Sequence, residues 1–185
     1  MGQPKITEIE AQLGEWEFLK ELPQEIDGFK LTMGQGIEGQ ILTIASYSNE
    51  AMHSRLDLIY TSETFDYVPV KTIGMHTFRD IRYFCRDRDK FAKMMHEKLP
   101  ELLEDVNREK QHQMGTLIEE AGLLNWAYSG KLPQKIGDFE LYITPDNPID
   151  YINGSTLFID YSDFEHGNHC LLYTSPSPRD KRQSR

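Results

Sequence analysis

At 185 residues, with 38% hydrophobic and 27% charged residues, the chain has enough apolar material for one medium or two small domains and too little charge bias for a disordered one. Its formal net charge of −10 repels phosphate backbones and argues against a nucleic-acid binder. Two cysteines, Cys85 and Cys170, make no disulfide framework, and neither a signal-peptide core nor a membrane-length apolar run occurs, so no membrane is expected and a soluble cytoplasmic protein is the default.

Ile6, Ile9, Leu13 and Trp16 recur at helical spacing, and Leu22-Pro23 stops that helix because a residue before proline is pushed out of the helical region. Phe29, Leu31 and Met33 alternate as in a half-buried strand, and Gly34-Gln35-Gly36 reads as a turn. Gln40–Tyr47 is a β-branched central strand, and Arg55–Thr61 alternates Leu56, Leu58 and Tyr60. Tyr67–Ile73 is β-rich, with Pro69 suggesting an edge, and Phe78–Cys85 reads as one more strand. Asp87 or Asp89 can cap the next helix, whose buried face is Phe91, Met94, Met95, Leu99, Leu102, Leu103 and Val106, with Pro100 expected to kink or divide it.

The chain then repeats itself. Shifted by 110 residues, EAQLGEWEFLKELPQEIDGFKL (10–31) meets EAGLLNWAYSGKLPQKIGDFEL (120–141) with 10 identities in 22 ungapped positions, where unrelated sequence gives roughly one or two. The two tryptophans, Trp16 and Trp126, fall at equivalent places. A tandem duplication accounts for this, with a period too long for a solenoid. Met114–Tyr128 repeats the first helix, and Phe139–Ile143 and Thr156–Tyr161 repeat the first two strands.

The expected fold is therefore α+β: a tandem duplication of a helix–antiparallel sheet–helix module with the second copy truncated. The first repeat spans 1–110. A partial second repeat, a helix plus two strands, spans 111–169. Residues 170–185 read as a non-native tail, because Cys170–Asp180 (CLLYTSPSPRD) resembles a translated sequencing-library adapter over eleven consecutive residues. His166, His169 and Cys170 have metal-ligand spacing, but the cysteine belongs to that tail, so no metal site is assigned.

Residues 74–90 carry the richest chemistry. Arg79, Arg82, Arg86 and Arg88 form the one concentrated basic patch on an acidic chain and are the candidate ligand-binding set, suited to a carboxylate or phosphate. An enzymatic reading makes Cys85 a nucleophile with His76 as base; as a strand, 81, 83 and 85 share a face, which points instead to a buried, inert thiol. His53, Arg55 and Asp57 alternate on another strand, where a solvated polar face is the plainer account. No phosphate-binding loop, dinucleotide glycine pattern, nucleophile elbow or His-Glu-x-x-His occurs, and no cofactor is implied. The sequence thus points to a non-enzymatic binding or interaction module with a protein partner, its oligomeric state open. The alternative is a small hydrolase or transferase using His53, His76 and Cys85. A pure assembly subunit pairing through a sheet edge is a third reading.

Overall fold

The computed structural model describes residues 5–109, 122, 126–150 and 156–174. Contacts divide the chain into two compact units, Met1–Arg108 and Glu109–Arg185, and the fold is mixed helix and sheet with two antiparallel sheets. Among the described residues no helix is long and apolar enough to cross a membrane.

The first unit opens with α1 (Ile6–Gln12), a 3-10 turn (Leu13–Glu15) and α2 (Glu17–Glu21). The single helix expected from the apolar spacing is thus broken at Trp16, which is extended at φ −83, ψ 102. In a straight helix Trp16 and Phe18 would point to opposite sides. The break brings both rings inward, 5.2 Å apart, and both are buried.

Six strands follow as a meander in chain order: β1 (Glu25–Ile26), β2 (Phe29–Glu38), β3 (Ile41–Asn49), β4 (Ser54–Thr61), β5 (Asp66–Ile73) and β6 (His76–Arg79). Gly34-Gln35-Gly36 is not a turn but an irregularity within β2, where the pairing with β3 shifts between Met33 and Gly36. Gly34 and Gly36 have φ of 51 and 89, the left-handed values that such a bulge asks of glycine. β5 lies between β4 and β6, yet β6 pairs only from Val70 onward. Pro69 therefore falls where β6 no longer calls for an N–H, and it behaves as an edge residue inside the sheet.

The expected strand over Phe78–Cys85 ends at Arg79. Asp80 accepts the Arg82 backbone N–H at 3.0 Å and caps a 3-10 turn (Ile81–Tyr83), so local side-chain capping overrides the β-rich pattern. Cys85 then makes an isolated bridge to Tyr67. Asp87 caps α3 (Arg88–Val106), accepting from the Asp89 and Lys90 amides at 3.0 and 2.9 Å. α3 continues through Pro100 without dividing. Its inner face of Phe91, Met95, Leu99, Leu102, Leu103 and Val106 is buried, while Met94 is half-buried.

α3 packs on β4 and β5, and α1 on β3. The resulting core contains Phe29, Tyr47, Leu56, Leu58 and Tyr60 from the sheet, each fully buried and contributing roughly 1.5–3 kcal/mol. Trp16 joins it through Tyr67 (5.8 Å between rings) and Phe91 (6.5 Å). On the opposite strand faces Ile59, Val68 and Val70 cluster with Ile41 and Phe84, which is why β4 and β5 read as continuous apolar runs.

The second unit contains β7 (Lys135–Ile136), β8 (Phe139–Ile143), β9 (Ile149–Asp150), β10 (Thr156–Asp163) and β11 (Asn168–Thr174). The sheet order is β11-β10-β8-β7, with β9 also on β10. Of the helix expected over 114–128, residues 114–121 and 123–125 lie outside the described residues, and Ser129–Lys131 forms a 3-10 turn. More strands occur than the two expected, and Cys170–Thr174, the start of the adapter-like run, supplies most of β11. Residues 175–185 of that run lie outside the described residues.

The Leu-Pro-Gln segments take one geometry in both units. The Leu31 amide donates to the Gln24 carbonyl at 2.9 Å, and the Leu141 amide to the Gln134 carbonyl at 2.9 Å. The Tyr47 hydroxyl donates to the Pro23 carbonyl at 2.7 Å, and the Tyr161 hydroxyl to the Pro133 carbonyl at 2.8 Å. Strand register matches as well: Leu31↔Tyr47 and Lys30↔Ser48 in one unit, Leu141↔Tyr161 and Glu140↔Ser162 in the other. So does the following hairpin loop, where the Met52 amide donates to Asn49 Oδ1 and the His166 amide to Asp163 Oδ1.

Candidate functional site

Of the four arginines singled out from sequence, Arg82, Arg86 and Arg88 turn to separate partners. Arg82 binds Asp80 through Nε at 2.8 Å and lies 5.6 Å from the centre of the Tyr83 ring. The Arg82 hydrogen bond holds the Asp80 carboxyl below its ordinary range. Arg86 reaches Asp66 at 3.5 Å, at the start of β5. Arg88 lies 5.6 Å over the Trp16 ring, beside Asp89 at 3.6 Å. Arg79 is exposed at the end of β6. Each of the other three guanidiniums meets an acid of its own neighbourhood, and exposed pairs of this kind contribute little to stability.

The candidate catalytic residues are divided between the two ends of one strand. His76 pairs with Ile73, and His53 joins that end because the Gly74 amide donates to its carbonyl at 2.8 Å. Cys85 pairs with Tyr67, six residues away along β5, which is roughly 20 Å at the rise of a β-strand. Cys85 is half-buried rather than sealed in a strand face, and its thiol donates to the Asp87 carbonyl at 3.2 Å. His76 is buried, while His53 is exposed in the hairpin loop with φ 46.

His53 consequently does not extend the Arg55/Asp57 row. Asp57 is buried opposite Ser46, which donates its hydroxyl to Asp57 Oδ1, and Arg55 Nε bonds the other oxygen at 2.8 Å. A buried carboxylate supplied with two donors in this way is a structural clasp across β3 and β4. The buried tyrosines carry the largest electrostatic perturbation: burial pushes the Tyr47 and Tyr67 hydroxyls up to about 12. Within either unit taken by itself, no three His, Cys, Asp or Glu side chains among the described residues converge at metal-ligand distance.

The sequence reading missed a groove between α2 and α3, with a volume of about 460 Å³. Trp16, Phe18 and Ala92 line its floor. Glu17 and Glu21 stand on the α2 side; Asp89, Lys93, His96 and Glu97 stand on the α3 side. Both rows follow helical three- and four-residue steps, so each row is visible in the sequence. Their juxtaposition is not, because some seventy residues of sheet separate them. Comparison with family models, with curated proteins and with solved structures found no match to this chain.

Proposed function

We propose that this chain is a non-enzymatic binding module that engages a protein partner. The separation of Cys85 from His76 along β5 carries the reading: a thiol needs a base within hydrogen-bond reach to act as a nucleophile, and roughly 20 Å denies it one. Thiol labelling of the Cys170→Ser chain tests it. Cys85 should label no faster than free cysteine at neutral pH, and His76→Gln should leave the rate unchanged. Labelling faster than free cysteine, slowed by His76→Gln, would instead establish a nucleophile–base pair and the hydrolase or transferase alternative.

We propose also that the two units are copies of one module, truncated in the second, and that residues 170–185 are not native. The shared Leu-Pro-Gln geometry and strand register support the first part. In the first unit Tyr47 faces Leu56; in the second Tyr161 faces Cys170. Sequencing the uninterrupted reading frame should therefore reveal a large apolar residue at position 170, followed by counterparts of Leu58 and Tyr60. A frame that reads CLLYTSPSPRD in genomic DNA overturns the tail assignment.

A further inference from the structure

We propose that the α2–α3 groove of the first unit is a docking site for a basic segment of a partner protein, with an apolar side chain seated over Trp16 and Phe18 and lysines or arginines on either flank. This inference rests on the reading of the chain as an interaction module and names the site and the chemistry of its partner.

Charge and shape both select that occupant. Four carboxylates, Glu17, Glu21, Asp89 and Glu97, face the groove against one lysine, Lys93, and one histidine. Two of the four already meet cations of their own helices: Glu17 meets Lys20 at 2.8 Å, and Asp89 meets Arg88 at 3.6 Å. Glu21 and Glu97 stand exposed, one on each wall. A cationic segment between them adds opposite-charge contacts at the rim, where electrostatics mainly steer association and reject wrong partners. An acidic peptide or a nucleic acid meets the opposite field.

The floor supplies the apolar half of the recognition. Trp16, Phe18 and Ala92 lie between the two charged rows, and a cavity of about 460 Å³ admits one or two anchoring side chains. Arg88 already lies 5.6 Å over the Trp16 ring, so the partner's cations belong on the flanks and its apolar side chain on the floor. Tyr67 and Phe91 pack against Trp16, and the groove is already formed in the folded unit.

The test uses the full chain carrying Trp126→Phe, so that Trp16 is the fluorescent reporter. The probe is a short amphipathic lysine/leucine peptide, and a glutamate/leucine peptide of the same pattern is the control. The lysine peptide should give a saturable change in Trp16 emission that weakens with rising salt, and the glutamate peptide should give none. Glu21→Gln with Glu97→Gln should weaken binding about 5-fold, as expected for two rim charges. Glu21→Lys with Glu97→Lys should reverse the preference between the peptides while leaving unfolding unchanged. Equal binding by the parent and the glutamine variant, an unreversed preference, or no saturable signal from the parent overturns the site. None of these outcomes alters the Cys85 labelling result, so the groove can fail while the binding-module reading stands, and the reverse.

Discussion

The two Leu-Pro-Gln turns share one geometry in different settings. In each unit a tyrosine from the second long strand donates to the proline carbonyl, at 2.7 and 2.8 Å, and the strands pair in one register. Yet the tryptophans that precede them differ. Trp16 is 5% exposed, between Phe18, Tyr67 and Phe91, while Trp126 is 38% exposed and has Tyr128 as its ring neighbour at 5.7 Å. The turn and register are local properties, written in proline, a left-handed turn residue and strand alternation. The burial of the tryptophan is not local. In the first unit it needs β5 and α3, and among the described residues the second unit has no helix in the place of α3.

The largest expected effect tests that contrast directly. Trp16→Ala removes a ring packed into the core and should cost about 3–5 kcal/mol, close to the whole stability of a small domain. Trp126→Ala should cost about 1 kcal/mol or less. Denaturant unfolding of the two variants, followed by circular dichroism, measures both. Comparable losses would mean that the exposed tryptophan also anchors a core, and the contrast would be lost.

The tyrosine clasp should show the next largest effect. Tyr47→Phe removes a hydroxyl from a fully buried ring and the donor of the Pro23 carbonyl, and should cost about 1 kcal/mol; Tyr161→Phe, at a half-buried ring with a more exposed bond, should cost less. pH sharpens the comparison. The hydroxyls of Tyr47 and Tyr67 lie at about 12 in the folded chain, against 10.0 when unperturbed. The folded state therefore holds their protons more tightly. The stabilisation is complete below pH 10.0 and is lost as pH rises toward about 12. Unfolding free energy should fall across that window, and Tyr47→Phe should make the fall shallower. A slope unaltered by the substitution would assign the loss to other groups.

How α3 is held can also be tested. Asp87→Ala removes the cap that satisfies the Asp89 and Lys90 amides and should cost about 1 kcal/mol. If α3 is what buries Trp16, the variant should red-shift Trp16 emission in a Trp126→Phe background while leaving the β1–β2 turn protected from hydrogen exchange. Loss of protection at Leu31 together with the shift would show that turn and helix fold as one piece.

Much of this organisation was legible from residues alone, and the misses have physical causes. The strand at Arg55–Thr61, the capped helix after Asp87 and its buried stripe follow from periodicity and capping chemistry. The break at Trp16 was hidden because both helical pieces obey an apolar spacing, and only the sheet beneath decides where the rings must point. The β-rich pattern runs on past Arg79, where the strand ends because Asp80 competes for the backbone, a two-residue effect that β-propensity does not register. Of the site, Arg79, Arg82, Arg86 and Arg88 are legible as a run, but the separate partners of Arg82, Arg86 and Arg88 are not. The groove required α2 and α3 to meet across a folded meander.

The smallest expected effect lies in the hairpin loops, where the two units solve one problem with different residues. The loop ends in a left-handed residue in both: His53 at φ 46 and Gly167 at φ 69. A side chain in that conformation costs roughly 1–2 kcal/mol, while replacing glycine by alanine returns about 0.4–1 kcal/mol by restricting the unfolded chain. Among the described residues, no heavy atom beyond its chain neighbours lies within 4 Å of the place a Cβ would take at Gly167, so backbone conformation sets the balance there. Gly167→Ala should therefore destabilise the second unit by about 0.5–1 kcal/mol, and Gly167→Asn by less, because asparagine tolerates the left-handed region. Thermal unfolding of the three chains in a Trp16→Phe background, with Trp126 as reporter, ranks them. An alanine variant as stable as the glycine chain would mean that the second loop relaxes to another turn, and that its likeness to the first ends at the strands.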